Sequence, residues 1–374
     1  MRMLLSILLS FLVLTPAWAQ APAPPAIQGR AWLLVDTQSG RALTENNADM
    51  RVEPASLTKL MTAYLVFSAL RDGQLRLDQA LSVSERAWRA EGSRMFLDPK
   101  RKATVDEMLH GMIIQSGNDA SIALAEAVAG SEPDFAIRMN QQAARLGMKS
   151  SHFVNATGLP HPEHYSTARD LYRLAASLIR EFPQFYKYYA IKEYRYNGIT
   201  QPNRNRLLWT DPHVDGVKTG HTESAGYCLI ASATRDQRRL LSVVLGAQSD
   251  AGRALESQKL LNYGFQHFET VRLFAANQTV SQMRIYRGTE SQLKAGFLSD
   301  LAITVPRGQA ERVKAEIVTK QPMLAPVSRG QQIGSLRLTL DGKPFADYPL
   351  RALHAVPTAG LLGRMWDGLL LMFE

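Results

Sequence analysis

The spacing of apolar positions divides this chain into four stretches. Residues 4–14 form a short, mostly apolar run behind Arg2. From about residue 30 to 270, strand-like and helix-like patterns alternate. Beyond Val271 only short segments of alternating polarity remain, such as residues 281–286 and 335–340, with turn residues between them. The final residues return to a helical stripe.

In the second stretch, residues 31–35 read as a buried strand, and Asp36-Thr37-Gln38-Ser39-Gly40 as a turn into a second short strand. Leu57, Leu60, Met61, Tyr64, Leu65 and Phe67 then recur at helical spacing up to Asp72-Gly73. Most of that helix's circumference is apolar, which predicts a central buried helix with only its start exposed. Thr104 and Glu107 have capping-box spacing ahead of Met108, Leu109, Met112 and Ile113, so another helix begins there. It runs into the polar turn Gln115-Ser116-Gly117-Asn118-Asp119 and then an alanine-rich helix over residues 122–129. Residues 166–170 open a further amphipathic helix. From Val214 the pattern is that of strands, at residues 214–220, 226–231 and 240–245, and a helix over about 252–265 closes the unit. Strands at both ends with helices between predict an α/β (α+β) fold for residues 30–270, one antiparallel sheet flanked by helices. Residues 271–357 predict a small all-β sandwich.

Composition adds location. Arg2, the apolar run and the small-x-small triplet Ala17-Trp18-Ala19 predict a signal peptide over residues 1–19, followed by a proline-rich leader over 20–29. The run is shorter than the roughly 20 residues that a membrane span needs. Export makes the single cysteine informative: Cys228 has no partner for a disulfide and lies in an apolar run, where it is expected as a buried small hydrophobe. The net charge is +9, and residues 271–357 hold twelve Lys or Arg against six Asp or Glu. That balance suits an anionic polymer or membrane surface, and no nucleic-acid module accompanies it. Leu361, Leu362, Met365, Trp366, Leu369, Leu370 and Phe373 share one helical stripe with Arg364 and Asp367 off it. Such a segment is too short to cross a bilayer, so residues 358–374 predict an amphipathic helix lying in a membrane surface.

The chemistry starts at Ser56, with Lys59 one helical turn away, a nucleophile beside a base. Ser-x-x-Lys is a common pattern, and Ser291-Gln292-Leu293-Lys294 matches it too. Only the first match has company: Ser116-Gly117-Asn118 on the inter-helix turn and Lys218-Thr219-Gly220 on a strand, in that order. Ser291 and Lys294 are read as surface. Lys59 can take a proton only if neutral, so its pKa must fall through burial and a nearby cation, for which Lys218 is the candidate. Ser116 is placed to relay a proton, and the Asn118 amide to orient substrate or Lys59. The strand carrying Lys218, Thr219 and Gly220 suits an extended peptide, with Gly220 letting the two backbones approach. His161 and His164 have a metal-compatible spacing, but Pro160 and Pro162 favour a loop and no third ligand follows; no metal or other cofactor is expected.

At these residues the chain resembles the low-molecular-mass penicillin-binding proteins, the serine-type D-Ala-D-Ala carboxypeptidases of peptidase family S11. The likeness extends through residues 54–62, Ser116-Gly117-Asn118-Asp119-Ala120, Asn203-Arg204-Asn205 and residues 215–227, and covers nearly everything from residue 30 onwards. It implies a β-lactamase-like catalytic domain, a β-rich second domain and an amphipathic tail on the periplasmic face of the membrane. It further implies that peptidoglycan pentapeptide stems lose their terminal D-Ala through a Ser56 acyl-enzyme, and that β-lactams acylate the same serine. The backbone N–H groups of Ser56 and His221 would form the oxyanion hole; Lys218, Thr219, Arg204 and Arg253 are candidates for the terminal carboxylate. A class A β-lactamase would carry Asp at position 117 and a Glu-x-x-Leu-Asn element, neither of which is present. A D,D-endopeptidase would use the same motifs, but shorter endopeptidase relatives usually lack the β-domain. A non-catalytic penicillin-binding scaffold is opposed by the intact motif residues.

Overall fold

The computed structural model of the chain describes residues 22–319 and 321–370. The expected signal segment, its cleavage after Ala19, and Phe373 lie outside them.

Five antiparallel strands form the central sheet: β1 (Ala31–Asp36), β2 (Ala42–Asn46), β3 (Val214–Thr222), β4 (Gly226–Arg235) and β5 (Arg238–Ala247), in the order β2-β1-β5-β4-β3. N- and C-terminal strands therefore meet at β1 and β5, and β3 is left at an edge. The sheet is buried on both faces, which explains why residues 31–35 and, apart from Ser242, residues 240–245 are apolar rather than alternating. Leu33, Val35, Val217, Ile230, Leu241 and Val243 face one core, and Leu34, Leu229, Leu240 and Val244 the other.

The first core is filled by helices. α1 (Lys59–Arg71) is central, with Leu60, Met61, Ala63, Val66 and Phe67 fully enclosed. α2 (Val105–Ile114) begins with the expected capping box, Thr104 and Glu107 bonding each other's backbone. α3 (Asn118–Ala129) follows after the Ser116 turn, and α4 (Glu132–Arg145) and α5 (Ala168–Glu181) complete the layer. On the other face α6 (Asp250–His267) packs Leu260 and Leu261 against the sheet.

α6 passes straight into β6 (Phe268–Phe274), the first strand of the β-domain. β6 pairs with β9 (Leu301–Pro306). A second sheet contains β7 (Thr279–Tyr286), β8 (Gln292–Gly296), β10 (Val313–Thr319), β11 (Met323–Leu324), β12 (Gln332–Leu340) and β13 (Lys343–Ala352), in the order β10-β12-β13-β8-β7-β11. Ile303 and Val305 of the first sheet share a core with Leu293, Leu336, Leu338 and Leu350 of the second, a sandwich as expected.

The two units meet at Asp36, which is fully enclosed at the end of β1. Its Oδ2 accepts from Arg238 Nε and Thr270 Oγ1, both at 2.6 Å, while Oδ1 accepts from the Gln38 amide at 2.9 Å. Ser39 and Thr304 hydroxyls lie 2.6 Å apart across the same seam. At the far end α7 (Leu361–Leu370) touches the β-domain through Asp367, whose carboxylate accepts from the Arg287 amide. Leu361 and Met365 on α7 are 74% and 69% exposed.

Candidate active site

Ser56 lies in a 3-10 turn over Ala55–Thr58, and α1 proper starts at Lys59. The tighter turn replaces the helix start expected there. It also places Ala55 at φ 47, a backbone state that a residue with a Cβ adopts only when its surroundings hold it there. Lys59 is 1% exposed, and its Nζ stands 3.0 Å from Ser56 Oγ. Nζ also donates to Asn118 Oδ1 and to the Thr157 carbonyl, both at 2.7 Å. The Asn118 amide cannot be turned round, because its Nδ2 donates to the Glu91 carbonyl at 2.6 Å.

This arrangement has a chemical consequence. A neutral lysine has two N–H bonds and one lone pair, and both acceptors of pure carbonyl type are already supplied by Asn118 and Thr157. The lone pair is left for the Ser56 hydroxyl. Burial, assisted by the Arg204 guanidinium and opposed by Asp119, draws the Lys59 pKa down to about 7, so the neutral form is accessible near neutrality.

Ser116, at φ 68 between α2 and α3, faces the other lysine. Lys218 Nζ donates to Ser116 Oγ at 3.0 Å and to the Thr219 carbonyl at 3.1 Å. Lys218, the cation that the sequence suggested beside Lys59, is itself enclosed. It is 3% exposed, and burial, with Lys59, Arg204 and Arg253 as further causes, pushes its own pKa well down. Arg204, which is exposed, bears on Lys59 as well as Lys218 does.

Ser56, Ser116, Arg204, Thr219, His221 and Arg253 line one cleft of about 660 Å³. Arg253 is no surface charge. It is 5% exposed, donates from Nη1 to the Gly220 carbonyl at 3.0 Å, pairs with Asp250, and lies over the Tyr227 ring. Asp250 in turn pairs with Arg206 on the cleft rim. Gly220 has a structural reason to be small: a Cβ there would stand 3.1 Å from the Pro54 carbonyl and 3.2 Å from Ala55 Cβ, so the missing side chain lets β3 lie against the Ser56 turn. Among the described residues β3 pairs with β4 alone, Gly220 opposite Cys228 and His221 opposite Tyr227.

The sequence profile of the D-alanyl-D-alanine carboxypeptidases, peptidase family S11, matches residues 18–249. D-alanyl-D-alanine carboxypeptidase DacC of Escherichia coli is 42% identical over 95% of this chain and 91% of its own length. The chain belongs to the D-alanyl-D-alanine carboxypeptidase family. A second profile, the C-terminal domain of penicillin-binding protein 5, matches residues 268–358. DacA of Haemophilus influenzae is likewise 42% identical, over 93% of the chain and 90% of its own. Among solved structures of this carboxypeptidase group, penicillin binding protein 5 from Haemophilus influenzae superposes with a TM-score of 0.86 at 41% identity, covering 90% of this chain and 99% of that one. Penicillin-binding protein D2 from Listeria monocytogenes in its ampicillin-bound form superposes at 0.61 with 33% identity, over 65% of this chain and 99% of that one.

Several residues of the site had no sequence signal. The Thr157 carbonyl acts through its backbone; its placement comes from the turn in which Asn155 Oδ1 accepts from the Thr157 and Gly158 amides. Arg206 and Asp250 were missed although they flank Asn205 and Arg253 so closely. The histidine pair separates: His161 is exposed, whereas His164 is buried with Nε2 2.8 Å from the Thr58 hydroxyl. Ser291 and Lys294 lie exposed on the β7–β8 hairpin, and Cys228 is buried.

Proposed function

We propose that Ser56 is the acyl-accepting nucleophile with which this carboxypeptidase removes the terminal D-Ala from peptidoglycan pentapeptide stems. The observation that carries this reading is the disposition of Lys59, whose two carbonyl partners leave its lone pair to Ser56. Ser56 Oγ attacks the carbonyl of the penultimate D-Ala as Lys59 takes its proton. The C–N bond then breaks as the amine of the leaving D-Ala receives, by way of Ser116, the proton that Lys59 had accepted; a water that gives its proton to the neutral Lys59 then hydrolyses the Ser56 ester, and that proton returns to Ser56 Oγ. The Ser56 and His221 N–H groups stabilise the oxyanion. Thr219, Arg204, Arg253 and Lys218 receive the terminal carboxylate, and the stem lies extended along the free edge of β3.

β-Lactams acylate Ser56 by the same route, a reading supported by the ampicillin-bound Listeria relative. Residues 30–270 carry the chemistry, 271–357 form the β-domain, and export by residues 1–19 puts the enzyme in the periplasm. The tail over residues 358–374, of which α7 is part, rests on the inner-membrane surface through its apolar stripe, to which the exposed Leu361 and Met365 contribute.

The test is a digest of pentapeptide stems and cross-linked dimers read by mass spectrometry, with Ser56→Ala beside the wild type. Loss of one alanine from monomers, abolished in the variant together with labelling by a fluorescent penicillin, is expected. Release of D-Ala by the variant, or opening of dimers without loss of alanine from monomers, would sink the assignment.

A further inference from the structure

The Ser116 turn ends in a residue for which the chemistry above has no use. Asp119 is 1% exposed, and its carboxylate accepts from backbone amides: Oδ1 from Met95 at 3.0 Å and Ala120 at 2.9 Å, Oδ2 from Leu97 at 3.0 Å. Met95 and Leu97 are buried, whereas Phe96 between them is 43% exposed and sits at φ 67. A bulky residue rarely adopts that backbone state unless neighbouring bonds impose it. Here one buried carboxylate grips the amide on either side.

The same segment is tied to the turn twice more. The Asn118 amide donates to the Ser93 carbonyl at 2.7 Å, and Asn118 Nδ2 to the Glu91 carbonyl at 2.6 Å. Gly92 and Ser93 line the catalytic cleft. Gly117 completes the fit, because a Cβ there would stand 2.8 Å from Asp119 Oδ1 and 3.1 Å from the Met95 amide. The middle residue of Ser116-Gly117-Asn118 is thus small to admit Asp119 and the segment it holds.

We infer that Asp119 is a positioning residue: its buried carboxylate holds residues 91–97 as a wall of the cleft and, through Glu91, keeps the Asn118 amide aimed at Lys59. Its charge acts in the same place. Of the charged or titratable groups that bear on Lys59 among the described residues, Arg204, Lys218 and His164 are basic, and Asp119 favours the protonated amine.

Hydrogen exchange reads the wall without any turnover, so it separates this inference from the reaction proposed above, on which only the kinetic readouts rest. In Asp119→Asn, exchange across residues 91–97 should quicken at least tenfold while the amides of β4 and β5 keep their protection. KM for a D-Ala-D-Ala peptide should rise about tenfold with kcat changed less than threefold. The pH of half-maximal penicillin acylation should fall, since loss of the negative charge makes Lys59 easier to deprotonate. Asp119→Glu keeps the charge at the wrong reach, so exchange and KM should change as in the Asn variant while the pH midpoint stays. Should the Asn variant not fold, the Glu variant still decides. Wild-type exchange at 91–97 in a folded variant, or equal falls in kcat and kcat/KM with exchange unaltered, would overturn the assignment. Faster exchange alongside a wild type that releases no D-Ala would uphold the wall and refute the reaction.

Discussion

At Lys59 two requirements meet: a lysine must be neutral to act as a base, and it must present its lone pair rather than an N–H. Burial supplies the first and the Asn118 and Thr157 carbonyls the second. With the pKa lowered from 10.5 to about 7, the neutral fraction grows as pH rises through 7. Acylation by penicillin should therefore climb about tenfold per unit below pH 6 and level off above pH 8. A rate constant that is flat from pH 5 to 8 would remove Lys59 as the base. The Ser56–Lys59 pairing was legible in the sequence because it is local, three residues on one helical turn. The Thr157 contact was not, since a backbone carbonyl leaves no residue type to recognise and stands 98 positions away. Nor could residue types reveal that Lys218 is itself buried and that Arg204 also bears on Lys59, because burial is a property of the fold.

Elements whose signals are short-range were read correctly. α2 begins where Thr104 and Glu107 cap each other. Replacing Thr104 by Ala should cost about 1 kcal/mol, and calorimetry should find the melting midpoint lowered by about 2–4 °C. An unchanged midpoint would mean that tertiary packing, not the cap, fixes this start. The 3-10 turn at Ser56 escaped a pattern of apolar spacing, because its tightness answers to β3 packing against it at Gly220, some 160 residues on. The wall at residues 91–97 has no regular period at all. It takes its shape from Asp119, so only the structure reveals it.

Across the whole molecule, the two-sided burial of the sheet and the sandwich beyond it followed from the switch in apolar spacing. The Asp36 seam did not, since its partners Arg238, Thr270 and Thr304 look like ordinary surface residues until they converge. The anchoring role proposed for the tail belongs to this scale. Deleting residues 360–374 should release the protein from membranes in a sedimentation assay with stem cleavage retained, and unchanged sedimentation would count against an anchor. The burial of Cys228 has a practical use of its own. It is the sole thiol of the chain, 1% exposed, and its pKa is raised by burial, so alkylating reagents find little to attack. A cysteine introduced at an exposed position such as Ser291 becomes the one site for maleimide chemistry. A single dye or spin label can then report on the β-domain from a protein otherwise silent to the reagent.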